Sequence, residues 1–284
     1  MLSRFSSFLF LSFLGLIAFS SCKKETSTIM PVNELDGLQL VSSFTDSMNG
    51  NIVSLFTPSG KFQTGYNDVF LQIKDKSGNL INNATITWTP TMVMMSNSHG
   101  CPASGITKKA NALFTYQGYL AFQMASNSSE YWKLTIQYNI NGQSFTTNGV
   151  INVVSSTART LQSFVGNDGM RYVVALAEPQ QPKAGINDMV AIVYQMPSSF
   201  SFIPVSGYKL KIDPRMPSMG NHSSPNNQDL TQGVDQKYYG KLSLTMTGQW
   251  RINMQLLNAA DSIIMGEQIT PSNESSSLYF DISF

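Results

Sequence analysis

Past residue 45 the chain runs in short stretches of alternating apolar and polar side chains. Ala84-Thr85-Ile86-Thr87-Trp88, Gly207-Tyr208-Lys209-Leu210-Lys211-Ile212-Asp213 and Lys241-Leu242-Ser243-Leu244-Thr245-Met246 all show it. A period of two sends successive side chains to opposite faces of a strand, one buried and one wet. Lys76-Ser77-Gly78-Asn79 and Asn141-Gly142 lie between such runs and read as turns. No sustained helical period appears beyond the N-terminal segment, so the prediction is an all-β protein.

The pattern is also written twice. Gly65-Tyr66-Asn67-Asp68-Val69 matches Gly185-Ile186-Asn187-Asp188-Met189, and Gly118-Tyr119-Leu120-Ala121-Phe122-Gln123-Met124 matches Gly240-Lys241-Leu242-Ser243-Leu244-Thr245-Met246. Tyr131-Trp132-Lys133-Leu134 closes the first copy and Gln249-Trp250-Arg251-Ile252 the second. Order and spacing agree over most of each copy, which predicts two tandem domains, 45–155 and 164–284, joined near Ser155–Ser163. Short strands at this spacing, in units of about 100 residues, suggest an immunoglobulin-like β-sandwich in each. Trp132 and Trp250 are expected core residues, since a large ring on an inner strand face ties two sheets together.

The first 21 residues stand apart. Arg4 precedes an apolar run from Phe8 to Phe19, too short for a comfortable membrane span and followed by small residues that suit a signal peptidase. Ala18-Phe19-Ser20-Ser21-Cys22 resembles a bacterial lipobox, with Phe19 where Leu is usual; this makes Cys22 the expected site of lipidation and the first mature residue. A plain signal peptide cut near Cys22 is the other reading. Either way the chain is exported, and the lipobox places it in the bacterial envelope, outer membrane or periplasmic face, held to the membrane by its anchor. Residues 22–44, beginning Cys22-Lys23-Lys24-Glu25, lack periodicity and read as a tether.

A formal net charge of +1 over 284 residues supplies no field to draw nucleic acid. Cys22 and Cys101 are the two cysteines. If lipidation uses Cys22, Cys101 is a lone thiol in an exported protein. No Gly-x-Ser-x-Gly elbow or phosphate-cradling glycine loop is present, and carboxylates are scattered, so enzymatic activity is not expected.

What chemistry there is gathers in one repeated loop. Pro214-Arg215-Met216-Pro217-Ser218-Met219-Gly220-Asn221-His222 in the second copy corresponds to Pro90-Thr91-Met92-Val93-Met94-Met95 and, after a one-residue gap, His99 in the first. His99 and His222 are the two histidines of the chain, and Cys101 follows His99 closely. Met124 and Met246 lie on a matched pair of neighbouring strands. Thioether, thiol and imidazole together suit soft Cu(I). Only Asp213 and Asp229 flank the second loop, too few oxygens for Ca²⁺ or Mg²⁺, and no finger-like Cys/His quartet supports structural zinc. The candidate ligands are therefore Met216, Met219 and His222, and Met92, Met95, His99 and Cys101. The residues equally admit a structural reading: alternation carries Pro90 and Met92, and Pro214 and Met216, onto the buried strand face, where methionine fills irregular gaps.

The Pro-x-Met-x-x-Met-x-x-His arrangement, late in a small β unit, resembles the YtkA-like domains and their FixH-like relatives. The match is closest at Pro214, Met216, Met219 and His222. The resemblance implies an exported or membrane-anchored immunoglobulin-like domain concerned with copper handling or oxidase assembly. Two functions are thus expected from different classes. One is a lipid-anchored protein that binds or relays copper, or assists a copper-dependent partner. The other is a cell-surface module for a protein or glycan, with the Met and His loops purely structural.

Overall fold

A computed structural model of the chain describes residues 33–284; the signal peptide expected over 1–21, the lipidation site Cys22 and the first part of the tether lie outside the described residues. Among the described residues the one helical element is a three-residue 3-10 turn, and the rest of the regular structure is strand. The all-β expectation holds.

The first half contains β1 (Gln39–Thr45), β2 (Ile52–Thr57), β3 (Phe62–Gln63), β4 (Gly65–Lys74), β5 (Thr85–Val93) and β6 (Ser98–His99). It continues with β7 (Thr107–Lys108), β8 (Tyr116–Phe122), β9 (Tyr131–Ile140), β10 (Gln143–Ile151) and β11 (Val153–Val154). The second half contains β12 (Leu161–Val165), β13 (Arg171–Glu178), β14 (Gly185–Ser198), β15 (Ser201–Pro204), β16 (Lys209–Met216) and β17 (His222–Ser223). It closes with β18 (Gln228–Gln232), β19 (Tyr238–Leu244), β20 (Gln249–Leu257), β21 (Ile263–Met265) and β22 (Leu278–Ser283). Strand order repeats between the halves. The run β1-β2-β4-β8-β7 corresponds to β12-β13-β14-β19-β18, and β10-β9-β5-β6 to β22-β20-β16-β17.

The halves differ at one corner. In the first, β7 pairs only with β8 and leaves the two main sheets separate, with β3 and β11 as a third, two-stranded one; in the second, β18 pairs with both β19 and β16 and fuses the layers into one eleven-stranded sheet. A break in register between Gln228 and Thr231 marks where β18 turns from one neighbour to the other. Pairing also begins earlier than the alternation indicated. Gln39–Thr45, all but its last residue inside the segment expected to be tether, is β1 and pairs with β2.

Burial follows the alternation. Along β5, Ile86, Pro90 and Met92 are buried with Trp88 half-buried between them; along β16, Leu210, Pro214 and Met216 are buried with Ile212 half-buried. β9 and β10 are joined through Asn141 and Gly142 at φ of 52° and 85°, the left-handed pair that a two-residue hairpin turn needs. Trp132 and Trp250 are fully buried, one in each of the two main cores. A third apolar cluster joins the halves: Tyr66 and Ala121 from the first pack with Ala175, Ala177, Val190, Ile192 and Tyr194 from the second. Glu34–Phe284 accordingly forms one compact unit.

Candidate functional site

The repeated loop is a hairpin in both halves, and its register is the same. Met216 at the end of β16 faces His222 on β17, and Met92 near the end of β5 faces His99 on β6. Directly opposed residues of an antiparallel pair project from the same face, so each imidazole shares a face with a thioether. Between Met216 and His222 the chain makes the 3-10 turn Pro217–Met219 and then reverses through Gly220 and Asn221 at φ of 62° and 59°. Gly and Asn are the residues that enter this left-handed region most readily, and they bring His222 back over Met216.

The turn is braced from outside. The Asn221 side-chain amide donates to the Glu274 carbonyl at 3.1 Å. The Arg215 guanidinium grips Asp213 through Nε at 2.7 Å and Nη2 at 2.9 Å, and also reaches the Asn221 carbonyl at 3.4 Å. The forked hydrogen bond to Asp213 holds the Arg215 pKa above its ordinary value. Asp213 is thereby committed to a cation already present, and Asp229 accepts the Ile212 amide at 2.9 Å.

The candidate donors divide by position. Met92 and Cys101 belong to the first core, Met216 to the second. Met95 and Met219, in the turns, are 88% and 55% exposed. His222 is exposed and His99 half-buried. Met94 packs partly against the first core. Each hairpin thus exposes its turn methionine and buries its strand-end methionine, while the imidazole is exposed in the second hairpin and half-buried in the first. Cys101 is not part of the exposed set. Burial pushes its thiol pKa well up, which favours the protonated form. Among the described residues no three His, Cys, Asp or Glu side chains converge on one point, which leaves thioether with imidazole as the donor chemistry on offer.

The histidines differ in their surroundings. His99 stands edge-on to Trp132, centroids 5.5 Å apart at 90°, with Nδ1 2.7 Å from the Gly100 carbonyl. The His222 imidazole has no hydrogen bond among the described residues.

Two repeated features that sequence reasoning left unexplained are structural. Met124 and Met246 do not matter for their sulfur alone: their carbonyls accept the indole N–H of Trp132 and Trp250, each at 2.9 Å. The Gly-x-Asn-Asp motif is a hook. Asn67 Oδ1 accepts from the Gln63 amide at 3.0 Å while its Nδ2 donates to the carbonyls of Gln63 (2.7 Å) and Gly65 (2.9 Å). Asn187 repeats this with Lys183 (3.0 and 2.8 Å) and Gly185 (3.1 Å). The repetition of the motif was the available signal.

No family model matches the chain, and no curated protein matches it.

Proposed function

We propose that the chain is an exported, lipid-anchored envelope protein that binds or relays Cu(I), or assists assembly of a copper-dependent partner, without enzymatic activity of its own. The observation that carries this reading is the shared hairpin register. Met216 faces His222 with Met219 exposed in the turn, and Met92 faces His99 with Met95 exposed in the turn. An exposed turn thioether, an imidazole opposite a second thioether across the hairpin, and neighbouring carboxylates already engaged make a set that suits a closed-shell, low-charge cation and offers little to a hard one. The residue-level resemblance to YtkA-like and FixH-like domains, and the lipobox around Cys22, support the same assignment.

The test is a titration of the full chain with Cu(I) against a competing chromophoric chelator. Replacing Met219 by Leu and His222 by Gln removes two donors of one hairpin and lowers the affinity of that site at least about tenfold, the effect of losing roughly 1.4 kcal/mol. Affinity left unchanged in that variant contradicts the assignment.

One observation favours a second reading, a surface interaction module. Met92, Met216 and Cys101 are packed in the cores, and the β14–β15 hairpin instead presents Phe200 and Ile203, 54% and 50% exposed. A partner captured equally well by the parent and by a Met95→Leu/Met219→Leu variant in metal-free buffer supports this alternative. A partner lost in that variant speaks against it.

A further inference from the structure

The two hairpins share a register but not a setting, and the difference comes from across the joint between the halves. Gly100 follows His99 directly. Its amide donates to the carbonyl of Ser199, in the turn between β14 and β15 of the second half, at 2.8 Å. The rings of Phe202 and Phe200 close over it: a Cβ built on Gly100 would lie 3.4 Å and 3.6 Å from them. The carbonyl of this residue, whose amide and Cα are so packed, is the group 2.7 Å from His99 Nδ1. A carbonyl oxygen only accepts, so Nδ1 is the donor, and in the tautomer that this bond selects the lone pair lies on Nε2. An N–H···O=C bond on the far ring nitrogen is how metal-binding imidazoles are commonly oriented and held in one tautomer. Among the described residues the His222 imidazole has no such partner, and no segment of the first half bonds its hairpin.

We infer that Gly100 and the Ser199–Phe202 turn are positioning elements for His99. The second half completes the first half's site, and the two sites are unequal. Site one is preorganised and linked to docking of the halves, whereas site two is autonomous. The Cu(I) part of this inference rests on the function proposed above; the positioning of His99 does not. Opening the joint frees the Gly100 amide, lets the backbone at Gly100 turn its carbonyl away from Nδ1, releases the imidazole to its ordinary tautomer mixture and weakens site one, with no donor atom removed.

The experiment uses the full chain carrying Met219→Leu/His222→Gln, which isolates site one, with and without Phe200→Ala/Phe202→Ala. Gly100→Leu serves as a second way to wedge the joint apart while leaving both phenyl rings in place. Nitrogen-15 NMR of the histidines in metal-free protein, with all wild-type donors present, reads the tautomer. His99 is expected as the Nδ1–H form in the parent and as a mixture in both joint variants, with His222 a mixture throughout. Cu(I) affinity of site one is expected to fall about 10–100-fold, the usual cost of losing an outer hydrogen bond to a ligating histidine. His99 remaining Nδ1–H after the joint is opened overturns the inference, as does an identical fixed tautomer at His222. Unchanged site-one affinity in both joint variants overturns it too. If the parent takes up no Cu(I), the copper reading fails, and the tautomer comparison alone decides whether the second half positions His99.

Discussion

At the scale of the residue, the two copies show what a shared position requires and what it tolerates. Pro102 corresponds to Pro225, so Cys101 corresponds to Ser224, and both are buried. The thiol suits an apolar seat. The Ser224 hydroxyl finds no partner there among the described residues. A buried hydroxyl without a hydrogen bond is a net cost, so Ser224→Ala should raise unfolding stability by about 1 kcal/mol, and Cys101→Ser should lower it by about 1–3 kcal/mol. Denaturant unfolding of the two variants measures both, and opposite signs are the expected pattern. Native Cys101 should also resist alkylation until the chain unfolds, because its thiol is buried and protonated.

At the scale of the element, the hooks at Asn67 and Asn187 set where β4 and β14 begin. Each amide satisfies three backbone groups near the start of its strand, and Asn67 also reaches the Leu120 carbonyl. Asn67→Ala or Asn187→Ala should therefore cost about 1–3 kcal/mol each in the same unfolding assay, whereas Asn→Ala at exposed Asn83 should cost far less. Much of this level was readable from the chain. Period two carried the inner faces of β5 and β16 as far as Met92 and Met216, and Asn141-Gly142 marked its hairpin. The motif repetition marked equivalent strands. Other features follow from contacts that alternation does not encode. β18 joins two layers because a register break lets it serve both edges, and β1 forms inside an aperiodic stretch because β2 is beside it. The outward aim of Met219 depends on left-handed residues at Gly220 and Asn221, a backbone property of the turn. The grip of Ser199–Phe202 on Gly100 is a contact across 99 positions, which no local pattern reports.

At the scale of the whole molecule, the halves behave as one body because a third core and a polar seam lie between them. Tyr119 and Tyr194 share a hydrogen bond at 2.6 Å, and Lys237 donates to the Tyr66 hydroxyl at 3.1 Å while Tyr66 donates to Asp68 at 2.9 Å. Burial pushes the pKa of Tyr66, Tyr119 and Tyr194 above the ordinary tyrosine value, so each is held neutral in the folded state. A pKa raised on folding contributes stability that is full below the unfolded value and is lost as pH climbs past it. Unfolding stability should accordingly decline above roughly pH 10, and these phenols should ionise only as the protein opens. Ultraviolet titration that ionises all eleven tyrosines near their ordinary pKa without unfolding would contradict the seam. The chain enters this body at Glu34, whose carboxylate accepts from the Leu113 and Phe114 amides and from the Thr115 hydroxyl. Seven-residue β8, roughly 20 Å at about 3.3 Å per residue, separates that point from Phe122, which packs on Trp132 beside His99. The first hairpin therefore lies roughly 20 Å from Glu34. The most direct measurement is NMR of methionine methyls and histidine rings in the full chain as Cu(I) is added, with Met48, 84% exposed and remote from either histidine's hairpin, as the internal control. The expected result is movement of Met95, Met219, His99 and His222 with Met48 unmoved; equal movement of Met48, or no movement at the hairpins, would contradict soft-metal binding there.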